Sequence, residues 1–127
     1  MLLNLFSIFI GGGLGSVLRY LIGLLYLRVF NYNFPLATLS VNLVGSLLLG
    51  ILAANFYDNT DIPEHIKISL IVGFCGGFTT FSAFALEIVD MLKRSEYMIA
   101  IFYIVLSLFL SIFAAAAGFY WAKTYVG

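Results

Sequence analysis

Long apolar runs and short polar joints alternate along this chain. A helix crossing a bilayer needs about 20 mostly apolar residues. Runs of that length cover about Leu5–Arg28, Pro35–Tyr57, Ile66–Leu92 and Tyr97–Ala122. The joints between them, "NYNFP", "DNTDIPEH" and "KRSE", hold most of the charge and the turn formers. The pattern predicts an all-α integral membrane protein with four transmembrane helices, a single domain over residues 1–127, and no domain outside the membrane.

The third run contains an irregularity. "GFCGGFTTFSAF", Gly73 to Phe84, sets glycines, threonines and a serine inside an otherwise apolar helix. Gly73, Gly76 and Gly77 weaken a helix and permit backbone angles that other residues avoid. The third helix is therefore expected to be broken near the membrane midplane. Unwound backbone at that depth has to be buried in protein or line a cavity. Transporters use the free N–H and C=O groups of such breaks to hold ions.

Composition narrows the class. Hydrophobic residues make up 63% of the chain and charged residues 9%. That leaves too little polar surface to cover a soluble core, so the natural solvent is lipid. Basic and acidic residues balance at six each, with no basic patch to suggest nucleic acid. Cys75 is the one cysteine, and His65, in a polar joint, the one histidine. An intrachain disulfide and a cysteine metal cluster are thereby excluded, and a histidine-based metal site or a Ser-His catalytic pair is not expected within one chain. The apolar N-terminus runs on too long and lacks the basic lead of a cleavable signal.

Four spans put both termini and the second joint on one side, with Lys67 and Lys123. Arg28, Lys93 and Arg94 lie on the other. Three against two is almost no bias under the positive-inside rule. Either one orientation is set by other signals, or copies insert both ways up. Small residues at helical spacing, Gly11 with Gly15, Gly12 with Ser16 and Ser46 with Gly50, allow close helix approach, within one chain or between two.

Polar groups inside the spans need partners or a polar path. Asn42, in "SVNLVGS", offers amide donors and an acceptor, for an interhelical bond or for a ligand. Tyr103, Ser107 and Ser111 recur every four residues on one helix face. A lone serine there would bond back to its own helix; three aligned hydroxyls suggest a polar track. Arg19 is the one fixed positive charge well inside a span, placed to snorkel, to be paired, or to gather anions at a vestibule. Glu87 and Asp90 approach the end of the third span. Phe81 and Phe84 stand on one face just after the glycines. Such a stripe is ordinarily packing, but here it adjoins Thr79, Thr80 and Ser82. A phenyl edge is weakly positive. Amide, hydroxyl and ring-edge donors together suit a small dehydrated anion.

These motifs resemble the Fluc (CrcB) family of bacterial fluoride channels over nearly the whole chain. The resemblance rests on "GGGLGSVLRY", "TLSVNLVGSLLLG", "GFCGGFTTFSAF" and the trio Tyr103, Ser107 and Ser111. It implies an antiparallel dual-topology homodimer in the bacterial inner membrane, with two pores built from both subunits. Fluoride and the lipid bilayer are then its partners, beside a second copy of itself. By the same resemblance Asn42 lines the pore, Phe81 and Phe84 are its paired rings, and Tyr103, Ser107 and Ser111 form its polar track. Thr80 and Ser82 are further hydroxyls expected along it, and Arg19 is expected in the vestibule. A structural sodium ion at the dimer centre would be held by main-chain oxygens of Gly76 and Thr79. Ala85 and Ala115 depart from the pattern, each a methyl where a hydroxyl is expected.

The leading expectation is passive export of fluoride from the cytoplasm, giving resistance to its toxicity; no enzyme chemistry is implied. The alternative is a small proton-coupled multidrug exporter of four helices, which needs a carboxylate deep in the first span. That span has Arg19 and no acid. A non-transporting scaffold would leave the Asn, Phe and hydroxyl positions without a role.

Overall fold

The computed structural model describes residues 1–30, 34–57 and 59–125. The remainder, including parts of the joints "NYNFP" and "DNTDIPEH", lies outside the described residues. Helix α1 spans Leu2–Val29, α2 Leu36–Tyr57, α3 Glu64–Ile68, α4 Gly76–Phe78, α5 Phe81–Lys93 and α6 Tyr97–Tyr125. A π-helical segment, Ser69–Cys75, joins α3 to α4. Among the described residues four helical stretches are long and apolar enough to cross a membrane: Leu2–Val29, Leu36–Tyr57, Glu64–Lys93 and Tyr97–Tyr125. They lie over the four apolar runs and extend them by a few residues.

The ends of the helices follow from local chemistry. Pro63 precedes α3 with φ −57°, and its carbonyl accepts from Ile66 and Lys67. Proline suits this place because the first helical N–H groups have no partner in the helix. At the other end of that span Arg94 N–H donates to Asp90 O, and Glu96 N–H donates to Met91 O at 2.9 Å. Ser95 closes the turn in the left-handed region at φ 61°. The backbone, now reversed, enters α6.

The interior is built on close backbone contact. α1 lies along the π segment and α4, and α2 lies along α6. A Cβ on Gly11 would collide with the backbone of Ser69, and one on Gly15 with that of Phe74. A Cβ on Gly50 would strike Ala115, and one on Gly118 would strike Leu47. Small residues permit this approach where no hydrophobic drive between helices exists in lipid. The Gly11–Gly15 pair and Gly50 of the Ser46–Gly50 pair thus pack within the chain. Phe84, Met91, Ala100 and Tyr103 form a buried cluster, with Phe34, Leu39, Ile88 and Ile104 packed against it.

Glycine plays a different part from the one expected for it. Among the described residues no glycine has positive φ, and Gly76 is helical at φ −64°, ψ −37°. The extended residues are the two threonines: Thr79 at φ −80°, ψ 160°, and Thr80 at φ −152°, ψ 119°. Hydroxyl residues can satisfy the exposed ends of two helices, which glycine cannot.

Candidate functional site

The site begins at these two threonines. Thr79 closes α4: its N–H and its Oγ1 both donate to Cys75 O, at 3.0 and 2.8 Å. Thr80 opens α5: its Oγ1 accepts from Ala83 N at 3.1 Å and lies 3.2 Å from Ser82 Oγ. Neither cap satisfies the peptide groups of Thr80 itself. Asn42, on α2, does so. Its Nδ2 donates to Thr80 O at 3.0 Å, and Thr80 N–H donates to its Oδ1 at 2.7 Å. One carboxamide thus replaces the pairing that a continuous helix would have provided. Asn42 Nδ2 carries a second N–H beyond the one given to Thr80.

Other oxygens of this region divide into two groups. Gly77 O accepts from Arg19 Nε at 3.1 Å and from Ser16 Oγ at 3.4 Å. The carbonyls of Gly76 and Thr79 accept no hydrogen bond from the described residues. Gly76 is exposed, and a Cβ added there meets nothing within 4 Å.

The rings form a row, but not a uniform one. Phe81 and Phe84 have centroids 5.4 Å apart, Phe84 and Tyr103 5.1 Å, and Tyr103 meets Phe34 edge-on at 5.3 Å and 77°. Phe84 is 5% exposed and Phe81 73% exposed. Sharing one stripe of α5, the two phenylalanines meet different surroundings, because only Phe84 lies against α6.

The hydroxyls of α6 also differ from one another. Tyr103 is fully buried, and its hydroxyl donates to Glu87 Oε2 at 2.7 Å. Thr38 Oγ1 donates to Glu87 Oε1 at 2.5 Å. Ser107 is 5% exposed; its Oγ lies near Tyr103 yet completes no hydrogen bond with it or with any other described residue. Ser111 is half-buried. One of three aligned hydroxyls is therefore committed to a carboxylate, and one is buried without a partner.

Thr38 is not singled out by the sequence, and Glu87 stands out there only as an acid near the end of the third span. The signal was a turn away in each case: Thr38 stands four residues before Asn42, and Glu87 three residues after Phe84. Each shares a helix face with a residue that was recognised. Arg19 is half-buried, and its Nε donates to Gly77 O. It also lines a cavity of about 410 Å³ whose polar groups include Thr38, Thr80 and Glu87. No group of three or more His, Cys, Asp and Glu side chains suited to a metal occurs among the described residues.

Comparison with known proteins bears on this arrangement. A family model described as "CrcB-like protein, Camphor Resistance (CrcB)" matches residues 6–119. A protein of Nitrobacter hamburgensis named fluoride-specific ion channel FluC 1 is 44% identical over 85% of this chain and 86% of its own length. A fluoride-specific ion channel FluC of Flavobacterium psychrophilum is 42% identical over 94% of this chain and 97% of its own. Another FluC, from a Caulobacter species, is 48% identical over 85% of each.

Proposed function

Since the chain belongs to the CrcB-like family, we propose that it is a fluoride-selective channel that lets fluoride leave the cytoplasm passively. The observation that carries this reading is the buried Ser107 hydroxyl, unbonded among the described residues and next to Tyr103 at one end of the Phe81–Phe84–Tyr103 row. A buried hydroxyl without a partner is costly, of order 1–3 kcal/mol, so it calls for a ligand. Fluoride binds its water tightly, and a selective path must replace that water with close donors. Ser107, Ser111, the second Asn42 N–H and the edges of Phe81 and Phe84 are such donors. Thr80 and Ser82 stand beside them. Ring edges are weak enough to let the ion go, which conduction requires.

In this reading Tyr103 acts through its ring more than its hydroxyl, because Glu87 already holds the hydroxyl. Thr38 and Glu87 are positioning residues: they fix the tyrosine at the level of Phe84. Arg19, beside the cavity, raises the local concentration of anions without binding them tightly. Fluoride that enters a cell as the neutral acid ionises in a less acidic cytoplasm. It then leaves down its own gradient, with no covalent step.

The functional unit is an antiparallel dual-topology homodimer in the bacterial inner membrane. A single chain leaves Phe81 and Gly76 on its surface. A second copy inserted the other way would cover both and complete the pathway. A structural sodium ion fits the centre of that dimer. The carbonyls of Gly76 and Thr79 accept no hydrogen bond from the described residues and are hard oxygen donors, two from each chain, of the kind an alkali cation accepts. That ion would neutralise carbonyl dipoles and hold the interruption of the third span near the midplane.

The small proton-coupled exporter is not favoured. Its relatives would need an acid in α1, and α1 contains Arg19 and none. The test is fluoride efflux from liposomes holding the purified protein, with chloride as control. Sustained fluoride efflux without chloride efflux is expected; chloride efflux in the absence of fluoride efflux removes this reading.

A further inference from the structure

Along the C-terminal half of α1, which Tyr26 OH ties to Ser40 Oγ of α2 at 2.7 Å, a space opens between α1, α2 and α5. The wedge between them is the cavity of about 410 Å³. It extends from Phe30 and Pro35, at the α1–α2 end of the bundle, to Arg19 and Thr80 beside the extended residues. Sites for small organic molecules typically measure about 300–1,000 Å³, with apolar walls and a few placed polar groups. Here Leu24, Leu27 and Val41 supply apolar wall, and Phe34 an aromatic face.

Two features do not suit a small hydrated anion alone. The first is the wall itself. Fluoride gains nothing from leucine and valine side chains, whereas a larger apolar body does. The second is the state of the two charges. Glu87 has both carboxylate oxygens engaged by Thr38 and Tyr103. Arg19 gives Nε to a neutral carbonyl and forms no ion pair with any carboxylate among the described residues. Its guanidinium keeps the terminal donors that pair with carboxylates.

We propose that this cavity is a binding site for an amphiphilic organic anion, a ring-sized aromatic monocarboxylate. Its carboxylate pairs with the Arg19 guanidinium, and its rings lie on Leu24, Leu27 and Val41. An occupant there stands between the α1–α2 end of the bundle and Thr80. It therefore blocks ion passage from that end. Binding itself does not rest on fluoride conduction; the block does.

The test uses 2-naphthoate as the probe and 2-naphthalenemethanol as its uncharged analogue. Binding to the purified protein is measured by calorimetry, and fluoride efflux is measured from liposomes with each compound. For about 13 heavy atoms, ordinary ligand efficiency puts saturable binding at roughly millimolar concentration. The acid is expected to bind and to block over one concentration range, and the alcohol to do neither. Arg19→Gln keeps a donor for Gly77 and removes the charge. It should weaken binding of the acid by at least about ten-fold.

Gly23→Leu provides a second arm that leaves Arg19 in place. Gly23 lines the cavity, and a Cβ there meets nothing within 4 Å, so a larger side chain fills the space. That variant should lose binding of the acid. Equal binding of acid and alcohol, or wild-type binding by both variants, overturns the proposal. Binding of decanoate but not of naphthoate also overturns it and assigns the cavity to a membrane fatty acid. Binding that leaves efflux untouched overturns the blocking role. Absence of fluoride efflux from the untreated protein counts against the channel reading and leaves the binding result standing.

Discussion

Ser107 and Asn42 separate what a residue does for the fold from what it does for an ion. Ser107 Oγ has no hydrogen-bond partner among the described residues, so Ser107→Ala removes none of their bonds. Stability in detergent should hold or rise, by up to about 1–3 kcal/mol, because the cost of an unpaired buried hydroxyl is removed with it. Fluoride efflux should nevertheless fall at least several-fold. Unchanged efflux would return this hydroxyl to an idle one. Asn42→Ala is different in kind, since it strips both bonds from the Thr80 peptide. It should cost about 1–3 kcal/mol in a thermal melt as well as activity. The rings divide in the same way. Phe81→Ile touches a side chain that is exposed in the single chain and should leave the melt of an isolated chain alone, whereas Phe84→Ile alters the buried cluster and should lower it. If both ring edges meet fluoride, efflux drops in both variants while the stabilities diverge. Normal efflux in both would class the rings as packing.

Among the elements, the decisive contact is that of α1 with the π segment and α4. Gly15→Ala should be among the most harmful small substitutions in the chain, because the new methyl meets the backbone of Phe74 and Phe78. Overpacking of this kind typically costs about 1–3 kcal/mol and exceeds the gain in helix propensity of about 1 kcal/mol. Gly76→Ala meets no such obstacle in its own chain. It should leave secondary structure and the melt of an isolated chain intact. Failure of dimerisation in cross-linking would then place Gly76 at the contact between copies, and normal dimers with normal efflux would remove it from there. The α5–α6 turn gives a conversely stabilising change. Ser95 sits at φ 61°, where glycine is at ease, and Ser95→Gly should raise stability by about 0.5–1 kcal/mol, read in the same thermal melt.

For the whole molecule, orientation is the open variable of the proposal. Arg28, Lys93 and Arg94 stand opposite Lys67 and Lys123, a difference of one charge. Lys67 Nζ also donates to the carbonyls of Phe56 and Asn59, tying the second joint to the end of α2. Labels attached at the termini should be reachable from both faces of the membrane. Added lysines at one end should bias insertion and lower fluoride efflux by removing one of the two antiparallel partners. Labelling from one face only, with full efflux, would rule out dual topology.

Hydrophobic periodicity and composition were enough to determine the class of molecule and its four spans. Their signal is local: a run of apolar side chains has only one low-energy form in lipid, whatever lies beside it. Family motifs were legible for a related reason, since they are fixed short strings. What tertiary structure alone decided was partnership. "GGF" and "TT" are neighbours in the sequence, and glycine is the stronger helix breaker by propensity. Yet the helix is extended at the threonines, because Asn42, 38 residues away, supplies the peptide pairing that makes extension affordable there. Tyr103, Ser107 and Ser111 read as equals by spacing. Only the packing of α5 on α6 gives Tyr103 to Glu87 and leaves Ser107 without a bond. Spacing orders residues along one helix; which of them keeps a free donor depends on what the other helices bring to it.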